Sequence, residues 1–374
     1  MITKRITALM LSGVIAAAAI SVSGCSEKKE ESSAGDTPEE SSDVQTSAFE
    51  VSAASTASSQ VSYGDFQGNK LTEKAELMIY QTYGSAGCVY LCRKNNINVD
   101  SGYLKKLTGE AKQFISGLEL KNVGSSELAK LICTDNTLNL GMKDKLFDEL
   151  HKRYNKETNL FDEFENDTYE GIDEEKKLVM QISSTDIIWT ELNAFGLKDD
   201  TYDIKKLLCD AFNANVDKYN HNDIYNGVWT ISSELENIFY YFLITDSIDS
   251  INYKPVWDVL GPNYLRNVFE TNENVDGFVE ISAENLSAVT TDQKAKEKLG
   301  VDIKIKYTAQ EYYNTFDTDA AFTYNPSGKD FFYFEYCIFT YLSQPSDLKL
   351  TENKYFTDNI GKWLKHCLEN HGAV

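Results

Sequence analysis

Histidine and proline are among the scarce residues of this chain, four and five in 374. Four scattered histidines exclude a site built mainly from imidazoles. So little proline, beside 22 tyrosines, suits a helical, aromatic-rich interior better than a loop-rich sandwich. Positive charge is also short: 36 Lys and Arg stand against 58 Asp and Glu, a net charge of −22. That balance excludes the basic face a nucleic-acid binder needs and argues against adhesion to anionic headgroups. No Gly-rich phosphate loop and no nucleophile elbow occurs. The motifs therefore imply no cofactor.

One uninterrupted apolar run is present. Lys4 and Arg5 precede an uncharged stretch from Ile6 to Val22, the basic and apolar parts of an export signal. A membrane span would need about 20 apolar residues, and the flanks favour a signal. The run ends in Val22-Ser23-Gly24-Cys25, which resembles the bacterial lipobox. The resemblance implies that Cys25 is lipidated and that residues 1–24 are removed as the signal peptide. Ordinary signal cleavage or an uncleaved anchor are the alternatives. From Ser26 to Gln67 the chain is rich in Ser, Ala, Thr and Glu and poor in large apolar residues. Such a segment cannot bury enough surface to offset its ordering entropy. Residues 25–67 thus read as a lipidated flexible linker and 68–374 as the folded domain, held at the extracytoplasmic face of the cell membrane.

Six further cysteines are Cys88, Cys92, Cys133, Cys209, Cys337 and Cys367. An exported chain with an even number raises the question of disulfides. Their irregular spacing within apolar helical stretches points instead to buried free thiols. His366, Cys367 and His371 lack two matching ligands elsewhere, so no zinc site is expected.

The domain repeats itself. Ile182-Ser183-Ser184, Ile231-Ser232-Ser233-Glu234-Leu235 and Ile281-Ser282-Ala283-Glu284 are near copies, with Gly124-Ser125-Ser126-Glu127-Leu128 an earlier relative. Each is expected to open a helix, serine capping free amides and the acid facing the positive end of the dipole. Two helix types alternate. Ile204, Leu207, Leu208, Ala211 and Phe212 keep a one-sided stripe, as do Leu104, Leu107, Ala111, Phe114 and Leu118. Ile238 to Ile244 is apolar all round, and Phe331 to Leu342 is broken chiefly by Glu335, so these helices must be covered on every side. The pattern predicts an all-α fold: inner helices opening near 72, 125, 178, 231, 282 and 330, outer ones near 103, 143, 202, 254, 306 and 353. The fifth hairpin is the weakest, because Val301-Asp302-Ile303-Lys304-Ile305-Lys306 alternates like a strand.

Connecting loops recur as well. Tyr154-Asn155 through Leu160-Phe161, Tyr219-Asn220 through Val228-Trp229, and Phe269-Glu270 through Gly277-Phe278 each precede an inner helix. In these loops residues 72–368 resemble the α/α toroids of the terpenoid-cyclase and protein-prenyltransferase superfamily. The resemblance implies an α/α toroid of about six hairpins. The superfamily's Asp-x-Asp-Asp acid motif, its Gln-x-x-x-Gly-x-Trp repeat and its Cys-Gly-Glu-Gln thioester are missing, so no catalytic role carries over.

A toroid places a site at one end of its cavity, near inner-helix N-termini. Asp186, Glu191, Glu234, Glu236 and Glu335 are the acids there; Asp186, Glu234 and Glu335 are the catalytic candidates. Trp189, Trp229 and Tyr241 are the ligand-binding candidates. Against this, first-turn acids stabilise helices and tryptophans usually pack. The oxygen donors Asp217, Asn220, Asn222, Asp223 and Asn226 suggest calcium, but depart from the EF-hand pattern and suit turns equally. The expected function is a surface-displayed lipoprotein, a non-catalytic binding or scaffold module for a glycan, a peptide or a small apolar ligand. The alternatives are a carbohydrate-active enzyme, a six-hairpin glycosidase or polysaccharide lyase using paired carboxylates, and a purely structural envelope protein.

Overall fold

The computed structural model describes residues 71–164, 172–226, 229–261, 283–314, 348–352 and 357. The leader, Cys25 and the linker lie outside them, as do the inner helix expected near 330, most of the outer helix expected near 353, Glu335, Cys337, His366, Cys367 and His371.

The described chain is predominantly helical. Helices α1 (Glu73–Lys94), α3 (Ser125–Leu138), α5 (Glu174–Ala194), α7 (Ile231–Ile244) and α9 (Ala283–Leu299) form one set. Between them come α2 (Ser101–Ser116), α4 (Lys143–His151), α6 (Ile204–Asn215), α8 (described over 254–261) and α10 (Ala309–Asn314). Members of the first set pack on one another in chain order, α1 on α3, α3 on α5, α5 on α7 and α7 on α9. The second set flanks this row: α4 packs on α3, α6 on both α5 and α7, and α10 on α9. Successive row helices thus meet across the intervening helix, as expected when apolar-all-round helices alternate with one-sided ones. On α7 every residue from Ile238 to Ile244 is buried, whereas α6 buries Ile204, Leu208 and Phe212 and leaves its opposite face to solvent.

Local chemistry explains where the helices start. Thr72, Asp100, Asp173 and Asp203 each accept a bond from the amide three residues on. Thr230 and Ser233 form a reciprocal capping box on α7. Ser233 caps as expected, and α3 and α7 open at Ser125 and Ile231, but the other repeated serines do a different job. Ile182-Ser183-Ser184 lies well inside α5, whose cap is Asp173. Gly124 precedes α3 without a side-chain cap bond. The serine and threonine hydroxyls hold the connecting loops instead. Ser125 Oγ donates to the Asp162 carbonyl at 2.6 Å, and Ser184 Oγ to Glu163 at 2.8 Å. Thr185 Oγ1 accepts from the Phe161 amide at 2.9 Å, and Ser232 Oγ from the Asn220 amide at 3.0 Å.

The ends of the row helices repeat more faithfully. Asn96, Asn139, Gly196, Asp246 and Gly300 each follow one with positive φ, between 55° and 67°. After the first four, the next amide reaches back five residues: Ile97 to Cys92, Leu140 to Asp135, Leu197 to Leu192 and Ser247 to Phe242. This left-handed C-terminal motif satisfies carbonyls that the helix leaves open.

The loop after α4 folds into a minimal antiparallel hairpin, β1 (Tyr154–Asn155) with β2 (Leu160–Phe161). Residues 301–306, expected to alternate like a strand, form no strand ladder. They run as an irregular segment after α9, with Ile303 buried and its carbonyl bonded by Lys296.

Candidate functional site

The row helices bury polar side chains as well as apolar ones, and those buried acids have unequal surroundings. Glu191 of α5 is compensated. It meets Lys130 of α3 at 3.3 Å, with the two side chains 2% and 0% exposed, and accepts from the Tyr83 hydroxyl of α1 at 2.5 Å. Glu236 of α7 is likewise held, by His221 at 2.8 Å and by the Tyr219 hydroxyl.

Asp186 and Glu234 are different. Asp186 sits in the interior of α5, 4% exposed, and its Oδ1 has no hydrogen-bond partner. Glu234 is in the first turn of α7, 1% exposed, and accepts from Trp229 Nε1. Among the described residues, no lysine, arginine or histidine forms an ion pair with either. Burial pushes the Asp186 carboxyl up to about 7. Burial, and then the charge of Asp186, push Glu234 up to about 8, against the lowering pull of the Trp229 bond. The charge of Asp186 thus reaches Glu234 across the α5–α7 contact, and burial raises both carboxyls above the ordinary carboxylate range.

Aromatic rings border the pair. Tyr241 of α7 feels the charges of Asp186 and Glu191, and burial above all keeps its phenol protonated. Its hydroxyl donates to the Thr190 carbonyl and accepts from Asn193 Nδ2, both at 3.2 Å. Trp189 meets Tyr241 edge to face at 4.8 Å and Phe242 at 4.4 Å. Trp229 is half-buried just before α7. Of the six residues singled out as candidates, five thus fall at the α5–α7 contact. The sixth, Glu335, lies outside the described residues. Trp189 is buried in the core cluster, so its packing is observed directly.

The other sequence candidates resolve plainly. In the loop from Asp217, Asn220 Oδ1 accepts from the Asn222 amide at 3.2 Å while its Nδ2 bonds Asp223 at 2.8 Å, so these groups shape a turn. Cys88, Cys92, Cys133 and Cys209 are free thiols on helices. Burial raises Cys92 to about 11 and Cys133 well above its ordinary value, which suppresses the reactive thiolate. No three His, Cys, Asp or Glu side chains converge as a metal-holding group among the described residues.

Lys130 and Tyr83 escaped the sequence analysis. The signal was there: a lone cation inside Leu128-Ala129-Lys130-Leu131-Ile132 on a helix without a polar face must find a buried partner.

Two carboxylates of raised proton affinity, in a site bordered by rings, can exchange a proton near pH 7 or accept positive charge. No protein-family model, curated protein or solved structure matches this chain.

Proposed function

We propose that the chain is a lipoprotein held through Cys25 at the outer face of a membrane, and that its folded part is a non-catalytic binding module. Its helices would close as an α/α toroid of about six hairpins. The continuous row α1–α3–α5–α7–α9 with its flanking helices is the arrangement two concentric rings require, and it supports that reading.

The observation that carries the binding site is the Asp186–Glu234 pair. Two buried acids without a cation destabilise the ligand-free fold, a cost usually tolerated where function needs it. Binding is favoured over catalysis because Asp186 Oδ1 has no partner to orient it, and an acid–base pair needs both carboxyls fixed to within about 0.5 Å. Titration of the full chain in detergent with amines, peptides and oligosaccharides, followed by tryptophan fluorescence, tests the reading. A saturable change abolished in Asp186→Asn is expected. A response unaltered by that substitution rejects the site.

A carbohydrate-active enzyme is the second reading. It is favoured by one specific observation, a carboxyl of raised proton affinity bonded to a half-buried tryptophan, Glu234 with Trp229. Incubation of the full chain with a polysaccharide panel separates the two. New reducing ends or unsaturated products, lost in Glu234→Gln, would replace binding with catalysis.

A further inference from the structure

The segment that leads into α7 is fastened to that helix at both ends by side chains of its first two turns. At the near end, Ser232 Oγ accepts from the Asn220 amide at 3.0 Å. Glu236 Oε1 accepts from the Tyr219 hydroxyl and bonds His221 Nδ1 at 2.8 Å. At the far end, Trp229 Nε1 donates to Glu234 Oε1. We infer that Trp229 and Glu234 form a pH-sensitive latch: the ionised carboxylate holds the indole tightly, and its protonation loosens that end of the strap.

Glu234 is 1% exposed and Trp229 is half-buried, so the bond joins a buried group to one that reaches solvent. An indole has a single N–H donor and no acceptor. Its hold therefore depends on how strongly Glu234 accepts, and that changes with ionisation. A hydrogen bond to a charged acceptor is roughly twice as strong as a neutral one. Once protonated, the carboxyl accepts only as a neutral group.

The surrounding charges leave this switch to Glu234. From α5, the charge of Asp186 reaches it. The near-end cluster holds Tyr219, His221 and Glu236, with Asp223 bonded to Asn220 and Lys218 to Asn215 at 2.9 Å. The cations of the flanking helices engage the other end of α7. Lys205 of α6 lies over the Phe242 ring and bonds Ser247, while Lys294 and Lys298 of α9 meet Asp246 at 3.2 and 3.1 Å. The buried acid of α9 is Asp292.

Burial, and then Asp186, push Glu234 up to about 8, while the Trp229 bond pulls it down. Linkage makes that pull reciprocal: the factor by which the indole favours ionisation is the factor by which ionisation favours the latched indole. Below about pH 8 the carboxyl is protonated and the latch loose; above it the carboxylate grips. A charge-assisted bond of this kind is expected to move the value by about one unit, so the latch tightens about tenfold across the transition. The latch needs no ligand and stands whether the site binds or catalyses.

Nuclear magnetic resonance of the full chain in detergent tests it, with tryptophan labelled in nitrogen-15 and glutamate in carbon-13. The chain has four tryptophans, and Trp229→Phe identifies the indole signal of Trp229. We expect that signal to follow pH along the same curve as the Glu234 carboxyl, with a midpoint at about 8. It should stay still in Glu234→Gln, whose amide oxygen accepts without titrating. In Trp229→Phe the Glu234 carboxyl should titrate about one unit higher. Acrylamide should quench Trp229, read as wild type minus Trp229→Phe, more strongly at pH 6 than at pH 9. A tryptophan that merely packs would show none of these. Circular dichroism checks that the variants fold. Should Trp229→Phe not fold, the wild-type chain and Glu234→Gln still decide, because one indole signal must titrate in the first and not in the second. Indole signals indifferent to pH between 6 and 9, titration that persists in Glu234→Gln, or quenching equal at both pH values overturns the latch. No ligand is present in these measurements, so such a failure leaves the binding-site reading to its own test.

Discussion

Lys130 and Glu191 form an ion pair at 3.3 Å whose two side chains are both withdrawn from water, and the pair ties α3 to α5. Removing one partner leaves the other charge buried without the counter-charge of this pair. Lys130→Met is therefore expected to lower unfolding free energy by about 3–5 kcal/mol, and Lys130→Met with Glu191→Leu to recover much of that loss. Urea denaturation followed by circular dichroism measures both. A single substitution costing under about 1 kcal/mol would contradict the pairing.

Stability should fall as pH rises across the neutral range. Asp186 and Glu234 hold protons more tightly when folded, at about 7 and about 8, than the unfolded chain does near 4. An acid with a raised folded value contributes stability at low pH that is lost as pH passes through that value. The decline is expected between about pH 4 and 8, at up to about 1.4 kcal/mol per pH unit for each group. Urea midpoints measured across that range test it, with Asp186→Asn and Glu234→Gln each flattening the slope. A midpoint rising from pH 5 to 8 in the wild-type chain and equally in both variants would refute the assignment.

Helix capping separates two threonine and serine positions that look alike in sequence. Thr230 closes the capping box of α7, so Thr230→Ala is expected to cost about 1 kcal/mol. Ser183 lies in the interior of α5 and caps nothing, so Ser183→Ala should stay within about 0.5 kcal/mol. Equal costs for both, from thermal or urea unfolding, would contradict the capping role of Thr230.

That contrast also explains what the sequence could reveal. The alternation of covered and one-sided helices was legible because burial leaves a periodic trace. Row helices open at Ser125 and Ile231, within a residue of expectation. The start of α5 was misplaced because Ser184 and Thr185 answer to the hairpin residues Glu163 and Phe161, a contact between segments that periodicity does not encode. Left-handed helix ends repeat more regularly, yet they use Asn, Gly and Asp in turn, so no single letter marked them. Asp186 and Glu234 were visible one by one. The effect of Asp186's charge on Glu234, and the compensation of Glu191 by Lys130, exist only once α5 packs between α3 and α7.

The membrane anchor has its own test. If lipid on Cys25 is the attachment, Cys25→Ala should move the protein from the membrane fraction to the soluble fraction of cells. No helix among the described residues is long and apolar enough to cross a membrane. A Cys25→Ala protein held as firmly as wild type would reject lipidation.

Asp186 and Glu234 form a buried acid pair that no cation among the described residues neutralises. Carbon-13 NMR of the side-chain carboxyls, in the full chain labelled at Asp and Glu, tests it most directly. Two resonances lost in Asp186→Asn and Glu234→Gln respectively should titrate at about 7 and about 8. Both titrating near 4, the ordinary carboxylate value, would contradict the account.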